Sequence, residues 1–303
     1  MTTLEMRTRI MDLLSDSSAA TQTLAGDLMN DYYHLLYALF DWDFDETRRT
    51  ITTEASTQFY ELPADCRKLM HHGVQVTSGG YTYSPQEVVD EEFWNVLNST
   101  SQTSDIPSYF FVRGGEGQQT VGLWPTPATT SNTITLRYKS RTIDLSFPAN
   151  YTTGTIVTLT NGASAVTGAG STWTAAMIGR FFRIDGDGRW YRVSARSANT
   201  AITIQKPYLG TAIAAGAETY VIAEVAYVPE EFQLLLVYGP LSDLYYRRNE
   251  ENRGLTYKGL FDQMLEKLKK SAGKKTMSIR QPNRTELMEV YSVTDGNENP
   301  VLS

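Results

Sequence analysis

Helical periodicity at the two ends of this chain brackets a long middle that reads almost wholly as strand, and this bracket restricts the fold more than any other feature. Near the start, Met6, Ile10, Leu13 and Leu14 follow Thr2 and Glu5, which have the spacing of a capping box. A Ser/Thr/Ala-rich break, Ser15 to Thr23, precedes a second run carrying Leu24, Leu28, Tyr32, Leu35, Leu36, Leu39 and Phe40. Towards the other end, Pro229, Glu230 and Glu231 open a helix with Phe232, Leu235, Leu236, Leu241, Leu244 and Tyr245, and Gly239-Pro240 predicts a kink or break. A last helix carries Leu260, Phe261, Met264, Leu265 and Leu268. These stripes are wide enough to pack on more than one neighbour, so the two ends are expected to complete one helical bundle.

The middle has two grammars. From about residue 46 to 145, "RRTITTEASTQFYELP", "SYFFVRGG", "QTVGLWPTP" and "NTITLRYKSRTI" alternate and are punctuated by turn residues, which predicts a small antiparallel sheet. Within it, "SPQEVVDEEFWNVLN" predicts a short helix capped by Ser84, with Pro85 at its first position and Glu87 at its third. "PADCRKLM" reads as a connector. Residues 147–222 hold short strands, "TIVTLT", "SAVTG", "RFFRID", "RWYRVS", "TAITI" and "TYVIAEV", at the spacing of an all-β sandwich or barrel. The expected fold is α+β. A body of residues 1–146 and 223–274, a helical bundle with a small antiparallel sheet, carries an inserted all-β module at 147–222. Residues 275–303 lack periodicity, yet Met277, Ile279, Leu287, Met288, Val290, Tyr291 and Val293 are spread along them, as in an extended arm that orders on another subunit.

Bulk composition excludes several classes. At 41% hydrophobic and 20% charged over 303 residues the chain can bury a core without staples, and its single cysteine, Cys66, rules out an internal disulfide framework. No apolar run approaches the ~20 residues that span a bilayer, and the start does not read as a signal peptide, so the expected site of synthesis and assembly is a cytoplasm. The net charge of −7 argues against a surface built to grip a nucleic-acid backbone. One basic stretch does stand out at the end of the last helix, Lys267, Lys269, Lys270, Lys274 and Lys275.

No catalytic constellation, metal site or cofactor motif emerges. His34 lies inside a helix beside Tyr33 and Tyr37 and reads as structural. His71 and His72, adjacent in a strand, would point to opposite faces. "GGEGQQTVG" lacks the lysine and following helix of a phosphate loop. "DWDFDE" places Asp41, Asp43 and Asp45 on one wet face while Trp42 and Phe44 dock on the core. In "GRFFRIDGDGRWYRV", Asp185 and Asp187 suit a calcium loop, but Arg189 stands at the fifth position and Arg196 where the distant glutamate belongs. A hairpin turn is expected there, with Arg183, Arg189 and Arg192 answering the aspartates. Trp173, Trp190 and Tyr191 are the aromatics that an outer, glycan-stacking face would use.

The tyrosine-rich second helix running into "YALFDWDFDETRRTITTEASTQFYELPADCRKL", then "IPSYFFVRGGEGQQTVGLWPTP", "ITLRYKSRTI" and "VPEEFQLLLVYGPLSDLY", resembles the tailed-phage head-to-tail connector adaptors. Residues 147–222 look like a small β module of phage virion proteins, which simple adaptors lack. The resemblance implies a structural virion protein of the neck or tail, without enzymatic activity, forming a dodecameric ring, twelve copies matching the portal above it. Its implied partners are the portal and tail proteins (nozzle, tube or fibre). Genomic DNA passes through the lumen without sequence-specific binding, and no membrane is involved. The arm residues Met277 to Val293 are then expected to bind the portal, and the basic helix end to face portal or DNA. The alternative is a tail-associated carbohydrate- or receptor-binding protein that uses the β module.

Overall fold

The computed structural model describes residues 1–115, 118–214 and 216–273. The expected arm and Lys274 and Lys275 lie outside the described residues. Helix α1, Thr3–Leu14, starts on the expected capping box: Glu5 N–H donates to Thr2 Oγ1 (3.1 Å) and Thr2 N–H donates to Glu5 Oε2 (2.9 Å). Helix α2, Ala19–Leu39, begins at Ser18 within the Ser/Thr/Ala run, because that side chain caps Thr21 N–H. After the β region come α4, Leu235–Arg247, and α5, Glu251–Gly273. The four helices share one apolar core that includes Met6, Ile10, Met29, Leu36, Leu235, Leu236, Leu241 and Leu268. Pro240 lies inside a continuous α4 rather than breaking it. Gly239 beside it leaves room for the Tyr32 ring, with which any Cβ would collide.

The sheet region departs from expectation in three places. It contains two four-stranded sheets, not one. Strands β1 (Glu46–Thr52), β3 (Cys66–Ser78), β4 (Tyr81–Tyr83) and β8 (Thr133–Ser140) form an antiparallel sheet in the order β1-β8-β3-β4. Strands β2 (Phe59–Glu61), β5 (Gln86–Val88), β6 (Tyr109–Arg113) and β7 (Thr120–Trp124) form the other, in the order β2-β7-β6-β5. The run from Arg48 to Pro63 divides between them at a turn, where Tyr60 Oη donates to Thr57 O (2.8 Å). Val74, Val76, Phe110, Val121, Ile134, Leu136 and Tyr138 fill the core they share.

Helix α3 is Glu91–Leu97, shorter than expected, and Asp90 rather than Ser84 caps it by accepting from Glu92 N–H at 2.9 Å. Residues 86–88 instead run parallel to Tyr109–Phe111. Extended backbone suits the β-branched Val88 and buries it with Trp94 and Phe111. "PADCRKLM" is no connector either, since β3 begins at Cys66. Its pairing with β8 shifts between Leu69 and Val74, and His72 takes φ 53°. That bulge brings the His71 and His72 rings to 3.9 Å between centroids, not to opposite faces.

The six strands expected in the 147–222 segment all form: β9 (Thr155–Thr158), β10 (Ala165–Ala169), β11 (Phe181–Ile184), β12 (Tyr191–Ala198), β13 (Ala201–Ile204) and β14 (Tyr220–Ala223). They make one antiparallel sheet in the order β14-β11-β12-β13-β10-β9. An antiparallel bridge between Ile156 and Glu218 draws its two ends together, giving a half-barrel rather than a sandwich. Ile156, Val166, Trp173, Phe182, Val193, Ile202, Tyr220 and Ile222 form its own core. The chain enters and leaves this element at one point of α1. Thr3 Oγ1 donates to Ser146 O (2.7 Å), and Thr3 N–H donates to Glu224 O (2.9 Å).

Candidate functional site

Three places in the molecule concentrate polar side chains that do more than cover the surface. The first is the corner where α2 meets the β1-β8-β3-β4 sheet. Trp42 is fully buried and its Nε1–H donates to Leu36 O (2.6 Å), which turns the chain sharply after α2. Residues 43–45 then form a short 3₁₀ turn, so the period-two pattern of "DWDFDE" is lost. Asp45 faces inward as a result. Its side chain is 0% exposed, 2.8 Å from Lys139 Nζ and 3.1 Å from Arg67 Nη2. Arg67 also donates to Tyr37 O (2.7 Å) and reaches the exposed Asp41 (3.0 Å), while Lys139 donates to Trp42 O. Burial pushes the Asp45 carboxyl up from the usual range, and the two cations pull it back.

Neither cation was legible in the sequence. Lys139 follows the buried Tyr138 in β8, so pleat parity assigns it to the opposite, wet face. That face is covered here by the α2–β1 corner.

Next to this corner runs the segment that links β8 to the half-barrel. It lies along a stripe of α2 at helical spacing, Gly26, Asn30 and His34. Phe147 packs 3.0 Å from the position a Cβ of residue 26 would take. Leu145 N–H donates to Asn30 Oδ1 (2.7 Å). His34 contacts Thr142 Oγ1 through Nδ1 and Asp144 Oδ1 through Nε2, both at 2.6 Å. With the proton on Nε2, the threonine hydroxyl donates to Nδ1 and the ring donates to the carboxylate. Hydroxyl, imidazole and carboxylate in line would suit a base-activated nucleophile, but the carboxylate of such a triad is buried, and Asp144 is 75% exposed. The arrangement is a clasp on the linking segment. A cleft of about 530 Å³ lined by Tyr37, Arg67, Arg141 and Asp144 opens beside it.

The third place is the half-barrel. Asp185-Gly186-Asp187-Gly188 forms the β11–β12 turn, with Gly186 and Gly188 at positive φ. The arginines do not answer its aspartates. Arg183 stacks over Trp190, 4.5 Å from the ring centroid, and Arg192 Nε–H donates to Gly179 O (3.3 Å). Across the turn lies the segment from Tyr208 to Glu218, and between the two opens a cleft of about 850 Å³.

The expected outer aromatics divide differently too. Trp173 is interior, its Nε1–H donating to Tyr220 Oη (2.8 Å), because Gly168 leaves space for its ring. Tyr191 is also buried, and Trp190 is half-buried under Arg183. The group therefore supplies no exposed stacking platform. At the end of α5, Lys267 and Lys270 are exposed and Lys269 lies 3.7 Å from Glu266.

Among the described residues no group of three or more His, Cys, Asp or Glu side chains could hold a metal ion, and no helix is long and apolar enough to cross a membrane. The SU10 adaptor protein family model matches residues 1–161, just over half of the chain. The chain belongs to the SU10 adaptor family. The matched part spans α1, α2, both four-stranded sheets, the clasped linking segment and the first half-barrel strand. No curated protein matches the sequence. Membership makes the protein a phage structural adaptor, a neck component of the virion, and implies binding to portal and tail proteins rather than catalysis.

Proposed function

We propose that this adaptor joins head to tail, as a dodecameric ring docked beneath the portal whose lumen continues the DNA channel. Family membership carries the reading. A closed ring needs repeated heterologous contacts between copies, and the four helices around one core supply a rigid, bundle-like body for them. Net negative charge suits a channel wall past which DNA slides, since strong phosphate gripping would slow passage. Residues 275–303 act as the portal-binding arm, through Met277, Ile279, Leu287, Met288, Val290, Tyr291 and Val293. The basic helix end from Lys267 faces the portal or the DNA.

The half-barrel, 147–222, is an insertion into the body formed by residues 1–146 and 223–274, and it reaches outward to another virion component. Its support is the convergence of Ser146 and Glu224 on Thr3, which leaves the body nearly continuous without it. Replacing 147–222 by a short glycine linker is expected to leave helical circular dichroism and a cooperative melt. Loss of the cooperative melt would refute the insertion.

Negative-stain imaging of the purified protein with portal tests the ring, which should appear coaxial with the portal. Removing Thr276–Ser303 should leave a soluble folded chain that no longer joins it. Normal docking by the truncated chain would remove the arm from this scheme.

A further inference from the structure

Asn161-Gly162, in the connection between β9 and β10, is the only Asn-Gly step in the chain. Such a step is chemically labile. The backbone nitrogen of the glycine attacks the asparagine Cγ, and a glycine has no Cβ to hinder the approach. A C–N bond closes a five-membered succinimide, and the side-chain nitrogen leaves as ammonia. Water then opens the ring to aspartate, or to isoaspartate, which puts one extra atom into the backbone.

In the folded half-barrel both reacting groups are held. Asn161 Nδ2–H donates to Gly210 O (2.9 Å), and because a carbonyl only accepts, the amide must present its nitrogen there. Gly162 N–H, the nucleophile, donates to Tyr208 O (2.7 Å). The turn is closed by Ala163 N–H on Thr160 O (3.0 Å), with Gly162 at φ 82°, where a type II turn requires glycine. Both latches come from the segment that leads from β13 to β14. The same segment is tied to the end of β9, Ile213 N–H donating to Leu159 O (2.8 Å) and Leu159 N–H to Ile213 O (2.9 Å). Together with the Ile156–Glu218 bridge, these contacts draw the half-barrel closed.

We propose that Asn161 is a latent deamidation site, shut while the Tyr208–Glu218 segment lies against β9 and opened when that segment lifts. The Gly162 nitrogen is then free to attack, and the Asn161 amide is free to turn towards it. The reaction runs one way. An aspartate at 161 would meet Gly210 O with a carboxylate oxygen, so acceptor faces acceptor and repulsion replaces the latch. Isoaspartate would also carry Gly162 N–H away from Tyr208 O, since the turn is then one atom longer. Each opening that lasts long enough for the succinimide to form leaves the half-barrel easier to open again. Neither the ring nor any partner is needed for this chemistry.

The site is read by peptide mass mapping of the purified full chain held at mildly alkaline pH, native and unfolded in urea. Conversion of Asn161 should run about tenfold slower or more in the native protein, where only local opening exposes the step to reaction. Equal rates in the two states would overturn the proposal. Gly210→Ala displaces the latch, because a Cβ there collides with the ring and hydroxyl of the buried Tyr208. It should speed conversion in native buffer towards the unfolded rate, and an unchanged rate would overturn the role given to this segment. Asn161→Asp should lower the melting temperature more than Asn161→Ala, which removes the hydrogen bond without adding a charge. A loss no larger than that of the alanine variant would overturn the one-way step.

Discussion

Asp45 and Asp187 are both carboxylates drawn into the protein, yet their surroundings differ in the one respect that matters for function. Asp45 is closed in completely and meets two cations, one from β3 and one from β8. Asp187 is drawn in over one oxygen and meets none. The first pair of cations belongs to the fold, since it ties the end of α2 to two strands far away in the chain.

The contrast can be broken from either side. Lys139→Ala should have the largest effect, costing about 3–5 kcal/mol in chemical denaturation, because it leaves a fully buried carboxylate with the partly exposed Arg67 as its one remaining cation. Burial already raises the Asp45 pKa, so without Lys139 the carboxyl takes up a proton more readily, and this penalty should shrink as pH falls. A penalty that stayed constant with pH would mean that Asp45 is not the group left unpaired.

Arg67→Ala removes the second cation but from a partly exposed position, with a smaller expected loss of about 1–3 kcal/mol. If it matched Lys139→Ala, the two cations would act as one inseparable unit.

Smaller still is the contribution of Asp16, at the α1–α2 turn. The Ser18 backbone N–H, the Thr21 and Ser18 hydroxyls and Arg248 hold its carboxyl down to about 2, against the ordinary 3.8. A depressed carboxylate stabilises the fold above its unfolded pKa and loses that contribution as pH falls through its folded one. Melting temperatures should therefore fall between about pH 4 and pH 2 more steeply in the native protein than in Asp16→Asn. Parallel curves would remove Asp16 from the account.

The smallest signal is a rate. Burial, with the neighbouring Asp65 charge, pushes the Cys66 thiol up to about 11. A thiol-reactive dye at pH 8 should leave the folded protein almost unlabelled. Lys139→Ala should speed labelling, since Cys66 adjoins Arg67 in β3, whereas Asp187→Asn should not. Equal acceleration by both would join the corner and the half-barrel into one cooperative unit.

Much of the architecture was legible along the chain. The capping box of α1, the apolar stripes of α4 and α5, the six half-barrel strands and the Gly-rich β11–β12 turn are set by residues within a few positions of one another. Misreadings arose where distant segments compete for the same residues. Gln86–Val88 left the expected helix because β6 offered a parallel partner and Trp94 a place to bury Val88. His71 and His72 share a side because β8 accepts β3 only with a bulge.

The candidate sites follow the same division. Local pattern marked Asp185 and Asp187 as a turn and found no catalytic or metal motif, and it carried a resemblance to head-to-tail connector adaptors, of which the family match over residues 1–161 supports the coarser class, a phage adaptor. It could not say which charges are answered. Arg183 was closer in sequence to Asp185 than Arg67 or Lys139 is to Asp45, yet it went to Trp190. Backbone hydrogen bonds and apolar periodicity are decided over a few residues, so the sequence by itself determined the elements and most of their faces. The pairing of buried charges depends on which side chains arrive at one desolvated point. Only the tertiary structure, by folding the end of α2 onto β3 and β8, decided that Asp45 meets two cations while Asp187 forms no ion pair among the described residues.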